Sequence, residues 1–309
     1  MNKKIASYAS ILIILVFIGY MVYDSVKPVK DIPERNASYT PADLKDAWEI
    51  TKEFQVKDGG LKAVAVSTVG EVFIGGSSFI ECLGADLDNS AWKLNTETPV
   101  SALAVFNDTL YASTMDQVLV IDRTGKMINE FGPFEKGCII TSISSNAARI
   151  AFADAGNRLV YIIDKGGEVK TIAGNDDPRF ILPSAYFDVS LKQDNSFFVA
   201  NTGHRRIESR NAGGSVISQF GSAGLAPENF CGCCNPAHFA VIPGGFVTAE
   251  KGLNRIKILN EKGEFVELVS SRNKFAPAVP LDVASADGKT IYAANPDDSK
   301  LYVFKRINP

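Results

Sequence analysis

One stretch of the chain decides its fold: residues 153–169 read ADAGNRLVYIIDKGGEV. The same pattern returns as ANTGHRRIESRNAGGSV at residues 200–216 and as AEKGLNRIKILNEKGEF at residues 249–265. In each copy a polar residue opens the unit, and a second one closes it ten positions later, as Asp154 and Asp164 do. The alternating apolar residues between these two positions are typical of a β-strand, and the glycine that follows indicates a tight turn. Self-similarity of this kind predicts a repeat architecture.

Weaker copies extend the repeat through most of the chain. A degenerate copy runs from Asn295 to Lys305, Asp122 precedes a further closing turn, and residues 75–94 hold an eroded first copy. The glycines of the closing turns are 42, 47 and 49 residues apart, which is the length of a propeller blade. These glycines are Gly125, Gly167, Gly214 and Gly263. Inner strands near residues 63, 102, 141, 187, 238 and 282 then predict an all-β, six-bladed β-propeller.

The last predicted blade has a pattern for only three strands. Residues 49–54, which read EITKEF, resemble the outer strands of the other blades but precede the first blade. We therefore predict that this segment supplies the missing outer strand of the last blade. Such an arrangement closes the ring and leaves no long exposed sheet edge.

The amino terminus carries an apolar run from Ile5 to Tyr23, preceded by two lysines. As a helix, these nineteen residues would span about 28 Å, close to the ~30 Å hydrocarbon thickness of a bilayer. A cleaved signal peptide is the alternative, but the run ends without an A-x-A-like cleavage site. The run therefore predicts an uncleaved transmembrane helix.

These patterns predict three regions. Residues 1–26 form a single-pass membrane anchor, residues 27–46 an extended, proline-containing linker, and residues 47–309 the propeller. The lysines before the apolar run favour a cytoplasmic amino terminus at the cell membrane. The propeller is then expected in the periplasm or outside the cell.

The composition narrows the possible functions. The chain has 309 residues, 32 basic against 35 acidic side chains, five cysteines and two histidines. This near-balance of charge argues against nucleic acid as a partner, because phosphate-binding surfaces carry a basic excess. Two histidines exclude most multi-histidine metal sites. Cys82, in an alternating strand of the first blade, is predicted to be a buried apolar residue.

The repeat can be compared with a known family. Residues 201–207 (NTGHRRI) and 154–159 (DAGNRL) resemble the core signature of NHL-repeat β-propellers, and the resemblance covers about residues 48–308. NHL propellers include bacterial surface proteins, RNA- and protein-binding modules, and a few enzymes with a metal in the central channel. The resemblance therefore implies the fold and does not choose among these functions.

Two enzyme types bear on the central channel. NHL-type lyases bind zinc through several channel histidines, which a chain with two histidines cannot reproduce. Six-bladed hydrolases of the lactonase type bind calcium through channel carboxylates and amides. Asn235, Asp188 and Asp282 lie near predicted inner strands and could contribute to such a site.

Three of the five cysteines lie close together, in the stretch FCGCCNPAH at residues 230–238. This stretch precedes the inner strand of the fifth blade. Cys234 lies sixteen residues before Glu250, and Cys138 sixteen before Asp154, so the two cysteines occupy equivalent repeat positions. We expect both near the mouth of the central channel.

The cysteines allow three interpretations. An extracytoplasmic location favours disulfides, either from Cys138 to a member of the cluster or as a strained bond between Cys233 and Cys234. Alternatively, the thiolates of Cys138, Cys231, Cys233 and Cys234, with His238 as a further ligand, could bind zinc, copper(I) or an iron–sulfur cluster. The third interpretation is a redox-active thiol pair.

The leading functional hypothesis is a membrane-anchored propeller that binds a ligand or a partner protein without catalysis and requires no cofactor. The predicted ligand-binding residues are Cys231, Cys233, Cys234, Asn235 and His238. No G-x-S-x-G, phosphate-binding loop or H-E-x-x-H motif occurs, and no catalytic residue is assigned. The first alternative is a metal- or thiol-dependent redox protein that uses the cysteines. The second is a hydrolase or lyase with its site in the channel.

Overall fold

In the computed structural model, the chain forms two compact units, Met1–Thr40 and Pro41–Pro309. The structure describes residues 12–21, 23, 44–175, 179–232, 234–271, 274–276 and 279–307.

The first unit contains a helix at residues 12–21. Within the part of the chain that the structure describes, no helix is long and apolar enough to cross a membrane. Residues 5–11 and 22 of the predicted anchor lie outside that part, as do residues 24–43, which hold most of the predicted linker.

The second unit is built from β-strands, twenty-four among its described residues. In chain order they are β1 Trp48–Gln55, β2 Ala63–Val66, β3 Val72–Gly75, β4 Phe79–Leu83, β5 Ser90–Asn95, β6 Ala102–Phe106, β7 Thr109–Ser113, β8 Val118–Asp122, β9 Met127–Phe131, β10 Ile140–Ser145, β11 Arg149–Asp154, β12 Leu159–Asp164, β13 Val169–Ala173, β14 Val189–Leu191, β15 Phe197–Asn201, β16 Arg206–Arg210, β17 Val216–Phe220, β18 His238–Ile242, β19 Gly245–Ala249, β20 Ile256–Asn260, β21 Phe265–Ser270, β22 Asp282–Ala284, β23 Thr290–Asn295 and β24 Lys300–Arg306.

These strands form six antiparallel sheets of four strands, and each sheet is one blade. Blades 1 to 5 consist of β2–β5, β6–β9, β10–β13, β14–β17 and β18–β21, and blade 6 of β22–β24 with β1. The prediction of an all-β, six-bladed propeller is confirmed.

The first and last strands of the ring close it. Strand β1 pairs antiparallel with β24, with Glu49 opposite Lys305 and Phe54 opposite Leu301. The predicted outer strand of the last blade is therefore confirmed. This pairing gives blade 6 its fourth strand and joins the two ends of the propeller, so β24 is not left as an edge strand with unpaired backbone groups.

The closing turns share one hydrogen-bond pattern. Oδ1 of Asp164 accepts the backbone N–H of Gly166 at 2.9 Å and that of Glu168 at 3.0 Å, and Gly167 adopts a φ of +90°. A side-chain oxygen that caps its own turn in this way explains why aspartate and asparagine recur there. The equivalent residues Asp122, Asn211 and Asn260 accept the corresponding N–H groups.

The hydrophobic core consists of six clusters, one between each pair of adjacent blades. Strand alternation explains this division, since successive side chains point to opposite faces of a sheet. On β12, Leu159, Tyr161 and Ile163 pack toward blade 2, whereas Val160 and Ile162 pack toward blade 4. A blade between two neighbours is therefore apolar on both faces.

Candidate functional site

The innermost strand of each blade lines a central channel. These strands are β2, β6, β10, β14, β18 and β22, and the cavity that they enclose has a volume of about 190 Å³. All six run in the same direction, because each is the first of four antiparallel strands. We call the end where they begin the top of the channel, and the end where they finish its bottom.

Three titratable side chains converge at the top of the channel, and we call them the carboxylate cluster: Asp188, His238 and Asp282. They come from the starts of three consecutive inner strands, since Asp188 directly precedes β14, His238 begins β18 and Asp282 begins β22. Nδ1 of His238 lies 3.8 Å from Oδ2 of Asp188 and 3.7 Å from Oδ1 of Asp282. The three side chains are 9%, 17% and 19% exposed in chain order, and all three line the cavity, so a ligand inside can reach them.

Hydrogen bonds from neighbouring blades hold the first carboxylate. Oδ1 of Asp188 accepts the N–H of Val189 at 2.9 Å and the hydroxyl of Ser142, which belongs to blade 3. Its Oδ2 accepts the N–H of Phe239, from blade 5, at 2.7 Å. Asp188 is therefore fixed between three blades and has little freedom to rearrange.

The second carboxylate spans the seam between the last blade and the first. Oδ2 of Asp282 accepts the N–H of Val64 at 2.8 Å. Because Val64 lies on β2, this bond links the inner strands of blades 6 and 1. The cluster therefore occupies positions that the ring geometry defines, and it does not depend on flexible loops.

Burial changes the pKa values of all three groups. It raises the pKa of Asp188 to about 6 and, together with the charge of Asp188, raises that of Asp282 to about 8. Burial also lowers the pKa of His238 to about 4. At pH 7 Asp188 is therefore mainly ionised, Asp282 mainly protonated and His238 neutral.

The cluster thus carries a negative charge without a protein cation opposite it. His238 is neutral at pH 7 and cannot balance the charge of Asp188. Among the described residues, no lysine or arginine forms an ion pair with Asp188 or Asp282. A buried charge without a partner is costly, so a positively charged ligand would be stabilised here.

The cysteine-containing loop leads directly into this cluster, since it ends at His238. Its conformation depends on Asn235, a buried residue whose Nδ2 donates to the carbonyl oxygens of Cys231 and, at 2.8 Å, of Lys251. Oδ1 of Asn235 accepts the N–H of Lys251 at 2.7 Å. Asn235 was predicted as a ligand-binding residue, and in the structure its amide holds the loop against the turn after β19.

Two side chains connect this loop to the cluster. Nζ of Lys251 lies 4.8 Å from the centre of the Tyr186 ring. The Tyr186 ring in turn meets the ring of His238 edge to face, with centroids 6.0 Å apart. Lys251, Tyr186 and His238 therefore form a chain of contacts from the turn that holds the loop to the top of the channel.

Cys82 and Cys138 lie apart from the cysteine-containing loop. Cys138 is buried in the apolar cluster between blades 2 and 3, and Cys82 in that between blades 1 and 2, the latter as predicted. Cys138 and Cys231 are both free thiols, so the predicted bridge between Cys138 and the loop is not formed with Cys231. The physical reason is that Cys138 packs into an apolar wedge between blades. Cys233, and with it the bond predicted between Cys233 and Cys234, lies outside the described residues.

The predicted metal site includes Cys233 and therefore stays a prediction. Within the described ranges, which omit Cys233, no group of three or more histidine, cysteine, aspartate or glutamate side chains is placed to hold a metal ion. Burial and the nearby Asp154 also raise the pKa of Cys138 far above its usual range, which disfavours the thiolate that metals and redox partners require.

Solved structures with a similar fold include two lyases. One is a streptogramin B lyase, with a TM-score of 0.61 and 12% sequence identity over 84% of this chain and 99% of that one. The other is virginiamycin B lyase from Staphylococcus aureus, with a TM-score of 0.57 and 16% identity over 84% of this chain and 100% of that one. Similarity at this level of identity shows the fold alone.

No protein-family model and no curated protein sequence matches the chain. Membership of the NHL-repeat family therefore stays a prediction.

The sequence indicated the members of the cluster but not their association. Asp188, Asp282 and His238 were each predicted near an inner strand, but of these three only His238 was predicted to bind the ligand, together with residues of the cysteine-containing loop. Ser142 and Tyr186 were missed, because a serine inside a strand and a tyrosine in a loop carry no local functional signal. Alignment of the repeat copies could have revealed the cluster, because it brings the starts of all inner strands to one end of the channel.

Proposed function

We propose that the protein is a ligand-binding propeller that takes a small cationic molecule into the top of its channel. The single observation that carries the proposal is the buried carboxylate cluster, whose negative charge has no lysine or arginine partner among the described residues. Asp188 would accept the charge of the ligand, and protonated Asp282 and neutral His238 would supply further hydrogen bonds. The site is prearranged, because backbone N–H groups of blades 4 and 5 already position Asp188.

The cavity limits the size of this ligand. Its volume of about 190 Å³ is below the range of roughly 300–1,000 Å³ that is typical of sites for drug-sized molecules. The wall is formed mainly by short side chains, among them the hydroxyls of Ser101, Ser142, Ser144 and Ser190. A short, polar amine matches this space better than a large or apolar compound.

A thermal-shift screen of the full chain tests the proposal. The probes are 1,4-diaminobutane, choline and glycinamide, with 1,4-butanediol as the uncharged comparator. We expect the amines to raise the Tm of the wild-type protein, because binding to the folded state adds stability by mass action. Asp188→Asn should weaken amine binding by about tenfold or more, since a charge-assisted hydrogen bond becomes a neutral one.

The matched control is Asp108→Asn, which removes an exposed carboxylate in the turn after β6. It should bind the amines as the wild-type protein does. Circular dichroism of each variant without ligand separates loss of binding from loss of fold. The proposal is overturned if no amine raises the Tm more than the diol, or if folded Asp188→Asn binds as tightly as the wild type.

Acid–base catalysis in the channel, as in a hydrolase or lyase, is the second candidate. It is favoured by the unequal pKa values of the two carboxyl groups, about 6 and about 8, which place a proton acceptor and a proton donor on either side of His238 at pH 7. Two of the solved structures with a similar fold are lyases, and virginiamycin B is therefore a suitable first probe. Chromatography should show its consumption by the wild type and not by Asp282→Asn if this candidate is correct; an unchanged probe removes this substrate.

We also propose that residues Ile5 to Tyr23 attach the propeller to a membrane, with the amino terminus cytoplasmic. The support is the length and apolarity of this run in the sequence. Cells that express the full chain should retain it in carbonate-washed membranes, with the propeller digested by protease added from outside the cytoplasmic membrane. A chain without residues 1–26 should appear in the soluble fraction, and its retention in membranes would contradict the proposal.

A further inference from the structure

A lysine lies at the bottom end of blade 3, beside Ser145 of the channel wall, in an unusual setting. Lys165 follows β12, and its Nζ donates to Oη of Tyr111 at 2.9 Å and to Oγ of Ser145. The same Nζ lies 4.3 Å from the ring centre of Tyr111 and 5.6 Å from that of Phe106. Tyr111 and Phe106 belong to blade 2, so the preceding blade covers the amine of blade 3.

This amine has no carboxylate partner. None of the ion pairs found among the described residues includes Lys165, although its side chain is half-buried. Burial lowers its pKa to about 8, so the group is still mainly charged at pH 7. An ammonium group has three donors, and the hydroxyls of Tyr111 and Ser145 accept two of them. The third is available to an anion beside Ser145.

One strand connects this amine to the carboxylate cluster. On β10, Ser142 binds Asp188 and Ser145 binds Lys165, and both serines line the cavity. The two serines are three residues apart, which on a β-strand corresponds to about 10 Å. Among the described residues, Asp188 at the top of the channel has no cationic partner, and Lys165, which contacts the channel wall at Ser145, has no acidic partner near the bottom.

We propose that Lys165 forms an anion subsite, and that the channel binds a linear zwitterion whose ammonium group lies at the carboxylate cluster and whose carboxylate lies at Lys165. The ammonium half of this inference rests on the proposed function; the carboxylate half is independent of it. Short peptides and long ω-amino acids share this chemistry. An extended tripeptide has its terminal charges about 10 Å apart, since each residue spans about 3.3–3.6 Å.

Calorimetry with matched ligands tests the two ends separately. The ligands are triglycine, triglycinamide, which lacks the carboxylate, and N-acetyltriglycine, which lacks the ammonium group. We expect the wild-type protein to bind triglycine most tightly. Lys165→Met should lower the affinity for triglycine by about tenfold, because a charge-assisted contact is lost, and should leave the affinity for triglycinamide unchanged. Asp188→Asn should lower the affinity for triglycine and triglycinamide alike.

Lys170→Met is the matched control for the lysine. Lys170 pairs with Asp164 and Glu168 in the closing turn that also contains Lys165, on the outer side of the blade. This variant should bind triglycine as the wild type does. A comparison with 8-aminooctanoate, which has terminal charges at similar spacing and no peptide groups, distinguishes peptides from ω-amino acids.

The outcomes separate the two proposals. Suppose that triglycinamide binds in an Asp188-dependent manner, and that Lys165→Met binds triglycine as tightly as the wild type does. The anion subsite is then wrong and the cationic site stands. If diaminobutane binds and neither triglycine nor 8-aminooctanoate does, the zwitterion is wrong as the ligand class. If no amine binds at all, the cationic site is wrong; the anion subsite is wrong as well if N-acetyltriglycine does not bind in a Lys165-dependent manner. The Tm of Lys165→Met shows whether the lost hydrogen bond to Tyr111 affects stability as well.

Discussion

The backbone N–H of Phe239 donates to Oδ2 of Asp188 at 2.7 Å, and this bond joins blade 5 to blade 4. The same oxygen lies 3.8 Å from Nδ1 of His238, the residue that precedes Phe239. One carboxylate therefore contributes both to the assembly of the ring and to the candidate site. Changes in its protonation are expected to alter stability as well as binding.

The stability of the propeller should fall as the pH rises from 6.5 to 8. In the folded protein the pKa of Asp282 is about 8, against an ordinary value of 3.8, so the folded state holds a proton that the unfolded chain has lost. The stabilising contribution is complete below the unfolded pKa and is lost as the pH rises through the folded one. The expected loss over this window is about 1 to 2 kcal/mol.

His238 acts in the opposite direction at lower pH. Its folded pKa of about 4 lies below its ordinary value of 6.5, so its contribution is lost as the pH falls from 6.5 to 4 and is constant above that. Tm measured at pH 6.5, 7.2 and 8 avoids the titration of His238. Lys165 and Lys257, whose folded pKa values are lowered to about 8, act against the decline in this window, so the carboxyl contribution is read from the difference between the wild type and the Asp282 variant. Asp282→Asn should flatten the profile, and an equally steep decline in this variant would contradict the assignment.

Gly263→Ala should destabilise the protein more than Gly244→Ala does. Both glycines have a φ of +81°, so the backbone strain of an alanine is the same at either position. A Cβ at Gly263 would lie 2.3 Å from the ring of Phe220 in the neighbouring blade, whereas a Cβ at Gly244 would have nothing within 4 Å. We expect about 1 kcal/mol for Gly244→Ala and an additional 1–3 kcal/mol for Gly263→Ala, from urea unfolding. Equal losses would show that the closing turn is not an inter-blade contact.

The thiols should differ sharply in reactivity. Cys231 is partly exposed, whereas Cys82 and Cys138 are 2% and 3% exposed. Burial also raises the pKa of Cys82 to about 11, so little thiolate forms at pH 8. Iodoacetamide followed by peptide mass spectrometry should modify Cys231 in the native protein and the other two only after denaturation. Cys231→Ser should abolish the first reaction, and rapid native labelling of Cys138 would contradict the structure.

Trp48→Ala should weaken the closure of the ring. Trp48 is 1% exposed in the cluster between blades 5 and 6, and its Nε1 donates to Glu267 at 2.8 Å. Loss of a buried aromatic side chain typically costs about 3–5 kcal/mol. Ile217→Ala, at a position 61% exposed on β17, is the control and should change stability by about 0.5 kcal/mol or less. Similar unfolding free energies for the two variants would show that β1 contributes little to the ring.

The ring could be predicted from the sequence because its local chemistry recurs. Each closing turn needs an acceptor such as Asp164 and a glycine such as Gly167, and both are visible in a single copy of the repeat. The circular closure followed from the surplus strand at residues 49–54 and the incomplete last blade. The turns depend on short-range hydrogen bonding, which a sequence pattern records directly, whereas the closure could be predicted by counting the strands.

The candidate site depends on long-range geometry and was only partly predicted. Asp188, His238 and Asp282 are 50 and 44 residues apart in sequence, and they meet because inner strands of equal direction surround one axis. The crowded cysteines drew the prediction toward the loop before His238. Lys165 is part of a closing turn and resembles an ordinary solvated charge, and only the aromatic residues of the preceding blade make it half-buried.

The pairing of β1 with β24 also has a consequence for biosynthesis. Lys300 lies 247 positions after its partner Glu53, so β1 leaves the ribosome long before the strand that it pairs with. At a translation rate of 5–20 residues per second, β1 waits on the order of 10 to 50 s for β24. During that interval the nascent chain is an open arc with an available strand. The last blade of a neighbouring chain on the same messenger RNA offers β1 an identical partner strand. Fast translation of isolated chains therefore favours the monomeric ring, whereas crowded polysomes favour strand exchange between chains.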